Sequence, residues 1–345
     1  MKRSSLAIAL LLVAFIQGCS LQDHVIPEPG MLPDAIKNTI DERYPGHTEL
    51  DPSVLEKDKV YLIRFSQHGV PFTLISNRSD ILEAQRKVNG DLSDSLKALF
   101  DGTSVQGGTF FNVRVADDLF QSAPAFPQYN FADYQLNGVT YTAKIVGKYP
   151  QLMDHIEHVY QTRHIDDLPD KIKQFVSDRN TPNPAAIAAL PLLNDTDKGH
   201  LSSKNELQFV QATVTILHGG KRYYEVAVTY YGMTQLPLLF DENGDLVWTS
   251  SFNFLERWEN LTAPTSFDTN LSSGDIDDLK SRFSPSDLIT GFDAKQQFDS
   301  WKNRFANVDS YSLVLEHTLP DTRKESWTLR YGAAKNVLLK NYYVN

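Results

Sequence analysis

The chain carries one histidine cluster whose spacing allows metal chemistry. Two histidines lie in the segment Asp154-His155-Ile156-Glu157-His158, and His164 follows. On a helix, His155 and His158 lie one turn apart, and with a carboxylate they have the donor set of a zinc site. Metalloproteases instead place two histidines four residues apart with a glutamate after the first, and that spacing is absent. We therefore interpret the segment as a charged, solvated helix face, and we predict no metal site and no cofactor.

Two acidic segments invite a calcium-binding interpretation. The run Asp241-Glu242-Asn243-Gly244-Asp245 alternates acidic oxygens, but an EF-hand needs glycine at its sixth position and glutamate at its twelfth. Here glycine is fourth and Phe252 is twelfth, so the segment is predicted to be a hairpin turn. The second segment, 274–278, is predicted to begin a helix, where carboxylates suit the positive end of the dipole.

Recognisable catalytic motifs are missing from the sequence. It contains no Gly-x-Ser-x-Gly elbow, no glycine-rich phosphate loop and no Ser-x-x-Lys motif. Carboxylates are plentiful, so a glycosidase-like pair stays open as an alternative, although no two of them are singled out. We predict that the protein is not an enzyme.

The aromatic side chains are a second lead. Four of them lie close together around two prolines: Phe126, Tyr129, Phe131 and Tyr134, with Pro124 and Pro127. Rings on an irregular, proline-rich backbone are typical of a docking loop, because they bring large contact area at low entropic cost. The alternative is that the rings fill a small core between structural modules. We predict these four aromatic residues as candidate binding residues.

The only cysteine ends a stretch with the three-part form of a secretory signal. Lys2 and Arg3 precede an uncharged apolar run over 6–16, and Gly18-Cys19 follows. This stretch resembles a bacterial lipoprotein signal, which implies cleavage before Cys19 and lipidation of its thiol. The resemblance implies a signal peptide at 1–18 and a lipidated tether at 19–31. Ser20 after the cysteine is similar to an outer-membrane sorting address.

Composition limits the partners of the rest of the chain. The net charge is -10, and removal of the signal makes it more negative still. An acidic body without clusters of Lys and Arg is a poor match for nucleic acid. The single cysteine provides no disulfide within the chain and no thiolate metal site. The predicted membrane contact is therefore the lipid on Cys19.

The chain alternates helix signals with runs of strands. Helices are predicted to begin at Leu32-Pro33-Asp34 and Leu168-Pro169-Asp170, with further helices over 92–100 and 294–305. Apolar alternation predicts antiparallel strands after each of these helices. We predict an α+β fold of repeated helix-plus-antiparallel-sheet modules, with the helices lying across curved sheets.

Two segments carry a family resemblance. Leu32-Pro33-Asp34-Ala35-Ile36 through Tyr44-Pro45-Gly46 resembles the opening of a PepSY-like (beta-lactamase-inhibitor-like) module. Tyr224 to Val228 with Leu239 to Val247 is similar to the strands and glycine turn of such modules. The resemblance implies binding to proteins or peptides and supplies no catalytic residue. The expected boundaries are one or more PepSY-like modules in 32–160, a second in 168–255 and a C-terminal α+β module in 275–345.

These observations predict a lipid-anchored protein of the bacterial cell envelope, at the outer membrane and facing the periplasm or the surface. It is expected to bind a protein or peptide partner through sheet surfaces without catalysis. A structural subunit of an envelope complex is the first alternative. A hydrolase acting on glycan or peptide is the second.

Overall fold

Antiparallel strands form most of the described chain. The computed structural model describes residues 32–117, 129–189, 193–232, 235–249, 271–298 and 310–345, without the side chains of 296–298. The strands there are β1 (Asp51–Glu56), β2 (Val60–Gln67), β3 (Val70–Ser76), β4 (Ile81–Lys87), β5 (Thr109–Ala116), β6 (Tyr129–Leu136), β7 (Val139–Val146), β8 (Tyr149–Met153), β9 (Ile156–Thr162), β10 (Leu207–Leu217), β11 (Arg222–Tyr230), β12 (Gln235–Asp241), β13 (Leu246–Thr249), β14 (Asp293–Phe298), β15 (Tyr311–Thr318), β16 (Lys324–Tyr331) and β17 (Val337–Val344).

The helices are few and short. They are α1 (Asp34–Arg43), α2 (Asp94–Lys97), α3 (Asp170–Ser177), α4 (Pro184–Ala188), α5 (Asp195–Ser202) and α6 (Ser273–Ser281), with 3-10 turns at 98–100, 165–167 and 286–289. The longest of them in the described ranges, α1, has 10 residues. Across those same ranges, no helix has the length and apolar character needed to span a bilayer.

The strands pair into two antiparallel sheets. The twelve-stranded sheet has the order β1-β2-β3-β4-β5-β6-β7-β8-β17-β16-β15-β14, and the five-stranded sheet has the order β13-β12-β11-β10-β9. Strands β1 to β8 follow one another as neighbours, so the chain builds this part of the sheet hairpin by hairpin. The C-terminal strands then join beside β8, where Tyr342 pairs with Leu152.

The predicted fold class, α+β with repeated helix-plus-sheet modules, is wrong. Mostly antiparallel strands form two sheets, and the segments 32–160 and 275–345, expected to be separate modules, share the larger one, because β8 pairs with β17. An unpaired edge strand leaves a row of backbone donors and acceptors without partners, so continuing one sheet satisfies groups that separate small sheets would expose.

Local predictions fared better than the fold class. Helix α1 begins directly after Pro33 and α3 directly after Pro169, as the two Leu-Pro-Asp segments predicted. The acidic run 241–245 is a hairpin turn: Gly244 has φ 72°, and the amide of Asp241 donates to the carbonyl of Asp245 at 2.9 Å. Helix α6 begins at Ser273, one residue before the second acidic segment, close to the expected start, with the side chain of Ser272 as its N-cap.

One predicted helix is wrong. The segment 294–305 was expected to be helical from its apolar spacing, but 293–298 is strand β14. Its backbone pairs with β15, with Ala294 opposite Leu315. Tertiary pairing overrides a helical pattern here, because a strand beside the sheet edge satisfies the backbone of β15. Residues 299–305 of this prediction lie outside the described residues.

Cores form on both faces of the large sheet. In β2, Tyr61, Ile63 and Phe65 pack with α1, whereas Val60 and Leu62 of the opposite face pack against the five-stranded sheet. In β5–β8 and β14–β17, one face packs with α2 and α6 around fully buried side chains. This cluster includes Trp327, Tyr342, Leu313, Leu279 and Phe283. The other face of β5–β8 positions the candidate site.

Candidate functional site

Strands β6, β7 and β8 bring aromatic side chains to one sheet face. Val146 of β7 pairs with both Tyr129 and Tyr149, so the two rings lie in one row, two strands or about 10 Å apart. In the next row Phe131 lies opposite Lys144. Side chains directly opposite in antiparallel strands project from the same face. We use the name open sheet face for the surface formed by Phe111, Tyr129, Phe131, Lys144 and Tyr149.

Two of these rings are unusually exposed. Phe111 of β5 lies opposite Asp133 of β6, and Asp133 shares its face with Phe131 two residues earlier. Phe111 is 43% exposed and Tyr149 is 48% exposed, and in the described ranges these are the only large hydrophobic side chains in the exposed class. Tyr129 is half-buried and Phe131 is buried. The face therefore has two exposed rings at its margins and buried aromatic surface between them.

Charged groups between the rings are compensated locally. The Nζ of Lys144 lies 4.5 Å from the centroid of the Tyr129 ring and 5.9 Å from that of Phe131, within cation–π range. Desolvation lowers the pKa of Lys144, and the charge of Glu83 on β4 opposes this effect. Desolvation likewise raises the pKa of Glu83 to about 7. A hydrogen bond from Gln85 and the charge of Lys144 lower this pKa and offset part of the effect of burial. The Glu83 carboxyl therefore titrates near pH 7.

A buried ion pair, Arg114 with Asp133, lies on the same face. Arg114 Nη2 donates to Asp133 Oδ1 at 2.9 Å, and Asn112 Nδ2 donates to Asp133 Oδ2 at 2.9 Å. The Asp133 side chain is only 5% exposed. Asn112 has φ 51°, a left-handed backbone in the irregular stretch where the β5–β6 register shifts. The local irregularity of β5 thus aims two donors at one carboxylate.

The predicted histidine helix is wrong, because the segment is extended. Strand β9 begins at Ile156, so His158 lies on a strand and His155 on the link that precedes it. His158 lies opposite Ile216 of β10. It projects from the same face of the small sheet as Tyr160, and this face packs against the large sheet. Desolvation lowers the pKa of His158 to about 4, and nearby arginines act in the same direction. The helical one-turn spacing that would let His155 and His158 share a ligand is therefore absent.

His155 meets a different histidine instead. Its ring stacks on that of His218 with centroids 3.6 Å apart and planes 20° from parallel. The His155 Nε2 atom lies 3.8 Å from Asp133 Oδ2. The amide of His218 donates to the carbonyl of His155 at 2.9 Å, which fixes the two backbones side by side. Sequence reasoning missed His218, because it lies more than sixty residues further along and only the β9–β10 pairing brings it here.

A polar cleft of about 760 Å³ lies elsewhere, between the β1–β2 turn, the β3–β4 turn and the segment leading into α3. Lys59 Nζ donates a hydrogen bond to Asp170 at 2.7 Å, and Lys173 donates one to Asp166. The opposite charges that line the cleft are therefore paired. Buried Asp167 accepts from Asn77 Nδ2 at 2.9 Å. We interpret the polar contacts in this cleft as structural, because they hold the start of α3 against the β1–β2 and β3–β4 turns.

The remaining predicted site residues have different outcomes. Tyr134 is 1% exposed and lies in the core on the opposite side of the sheet, where its hydroxyl accepts from the Gly108 amide at 2.8 Å. The structure therefore brings Tyr129 and Phe131 together and separates Tyr134 from them. Phe126 and Cys19 lie outside the described residues, as do the signal peptide and the tether.

The chain was also compared with known proteins. No family model matches it, and the search of curated proteins finds no match either.

Proposed function

We propose that this chain is a non-catalytic, lipid-anchored binding protein of the bacterial envelope, and that it binds an extended segment of a protein partner on the open sheet face. The observation that carries the proposal is the position of Phe111 and Tyr149. Both exposed rings project from one face of the same sheet. Exposed aromatic side chains on a rigid scaffold are characteristic of binding surfaces.

The chemistry of the face favours a peptide over a charged small molecule. Lys144 and Arg114 are each accompanied by a carboxylate, Glu83 and Asp133, so the face presents rings and compensated charges rather than one strong charge. Exposed aromatic rings beside paired polar groups are typical of protein interfaces. The preferred occupant is therefore an uncharged, extended segment with apolar side chains.

The sequence supports an attachment through lipid. Cys19 follows an apolar run and a glycine in the order of a bacterial lipoprotein signal. The resemblance of the Leu32 and Tyr224 segments to PepSY-like modules favours a binding role in the same compartment. Lipid on Cys19 and a 12-residue tether would hold the open sheet face close to the membrane that carries the partner.

Peptide selection tests this function directly. A phage-displayed random peptide library is selected on the purified protein, and the affinity of each enriched peptide is measured by fluorescence polarisation. We expect Tyr149→Ser and Phe111→Ser each to weaken binding by roughly 10-fold or more, the loss typical of an interface hot spot. Tyr149→Phe keeps the ring and should retain affinity.

The controls separate the face from the fold. Lys37→Ser changes an exposed residue of α1 and should leave peptide affinity unchanged. Enriched peptides that bind all of these variants equally would contradict the proposed face. A partner that stays bound in constant ratio through purification of the native protein would favour the structural-subunit alternative.

A further inference from the structure

We propose that Asp133, His155 and His218 form a zinc-binding site that joins the two sheets. One ligand atom of each residue lies within 4.8 Å of the others, and these residues include a carboxylate and two imidazoles. Two imidazole nitrogens and one carboxylate oxygen, with water in the fourth position, are a common donor set for Zn²⁺. This proposal is independent of the binding function of the open sheet face.

A bound zinc ion requires the three ligand atoms to contract from separations of up to 4.8 Å. Zinc bonds nitrogen and oxygen at about 2.0–2.2 Å, so tetrahedral ligand atoms lie roughly 3.3–3.5 Å from one another. The measured separation of His155 Nε2 from Asp133 Oδ2 is 3.8 Å. His218 is exposed and lies at the β10–β11 turn, so its ring has room to move toward the other two ligands.

A second observation points to a ligand. Among the residues that the structure describes, the buried Nε2 atom of His155 has no hydrogen-bond partner, although it faces the carboxylate. A buried polar atom without a partner is costly, and a metal ion satisfies it.

The carboxylate is already oriented by neighbours. Arg114 bonds Oδ1 and Asn112 bonds Oδ2, and a carboxylate has lone pairs left on both oxygens. Such outer contacts are the usual supports of a metal-binding carboxylate. The positive charge of Arg114 opposes a divalent cation, so we expect micromolar rather than nanomolar affinity.

The position of the ligands defines the role of the ion. Asp133 belongs to β6 of the large sheet, and His218 follows β10 of the small one. The link from β8 to β9, which carries His155, connects the two sheets. A bound ion would cross-link them and stabilise the folded state by mass action.

Cobalt titration tests the site. The full-length chain is purified in detergent without a polyhistidine tag and titrated with Co²⁺, whose visible absorption reports tetrahedral coordination, and Zn²⁺ then competes. We expect one equivalent of Co²⁺ that Zn²⁺ displaces. His218→Ala, at an exposed position, should weaken Co²⁺ binding by at least roughly 10-fold, and His155→Gln should do the same.

The matched control is His200→Ala, which removes an exposed histidine of α5. It should bind Co²⁺ like the wild type. At free Zn²⁺ about 100 times its Kd, we also expect the melting temperature to rise by roughly 4 °C in the wild type and not in His218→Ala. Absence of tetrahedral Co²⁺, or equal Co²⁺ binding by wild type and His218→Ala, would overturn the proposal.

Discussion

At the residue scale, the open sheet face depends on charges that burial has shifted. Glu83 and Lys144 lie on the same face of the sheet. Desolvation raises the pKa of Glu83 and lowers the pKa of Lys144, so burial favours the neutral form of each side chain. Neither side chain behaves as an exposed charge on a strand would. Their mutual attraction recovers only part of the lost hydration, which is the usual result for a buried pair.

The Glu83 carboxyl makes stability depend on pH. Its folded pKa is about 7, above the reference value of 4.5, so the folded state binds more protons between these values and stability falls as pH rises through them. Full ionisation costs up to roughly 3 kcal/mol, because each tenfold change in proton affinity corresponds to about 1.4 kcal/mol. Glu83→Gln should therefore unfold at higher denaturant concentration than wild type at pH 8.

The same comparison at pH 4.5 provides the control. There the wild-type carboxyl is protonated in the folded state, and the two proteins should have similar free energies of unfolding by urea titration. A Glu83→Gln variant that loses stability equally at both pH values would contradict the raised pKa, because the loss would then not depend on ionisation of Glu83.

At the element scale, helix α1 is held by its apolar side rather than by caps. Ile36 and Ile40 are fully buried against β2 and β3, and Pro33 at the N-cap makes no side-chain hydrogen bond. A 10-residue helix is marginal in isolation, so packing must stabilise it. The large sheet in turn needs α1 to cover Ile63 and Leu74.

Ile40→Ala tests this dependence. It removes buried methyl groups from a site with no exposure, so we expect a loss of about 2–5 kcal/mol in the free energy of unfolding. Asn38→Ala changes an exposed position of the same helix and should be neutral or slightly stabilising. Equal effects of the two changes in urea unfolding would contradict the packing account.

Elements with strong local signals could be predicted from sequence, whereas their assembly could not. The Pro33 and Pro169 helix starts and the Gly244 turn depend on residues next to one another, and all three are confirmed. The strand at 293–298 and the joining of β8 to β17 depend on partners far along the chain. A period of apolar residues does not contain that information.

The candidate site divides in the same way. Tyr129 and Phe131 could be selected from sequence because aromatic clustering is local, but strand alternation places Tyr134 on the opposite face from Phe131. The sequence associates His155 with His158, which is nearby in the chain, whereas in the structure its neighbour is His218. Pairing of β9 with β10 decides between them.

At the scale of the whole molecule, the small sheet packs against one face of the large sheet, with contacts that extend from β2 to β15. The Ile156 amide donates to Thr142 Oγ1 at 2.8 Å, and Trp248 Nε1 donates to Ser312 Oγ at 3.1 Å. Tyr149 lies at the other end of β8 from Met153 and stays exposed. The two-sheet arrangement thus leaves part of the aromatic surface accessible.

Anchoring is also a property of the whole molecule. We expect Cys19→Ala to move the protein from the membrane fraction to the soluble fraction, because it removes the site of acylation. The intact mass of the wild-type protein should correspond to a chain that begins at Cys19 and carries acyl groups. A wild-type mass that retains residues 1–18 would contradict the lipoprotein assignment.

The most direct test of the central claim is photo-crosslinking in living cells. A photoreactive benzoylphenylalanine replaces Tyr149 on the open sheet face or, as a control, Lys37 on α1. The account predicts a discrete crosslinked protein adduct at position 149, absent at position 37 and diminished when Phe111→Ser is added. Adducts of equal yield at both positions, or none at 149, would contradict binding through this face.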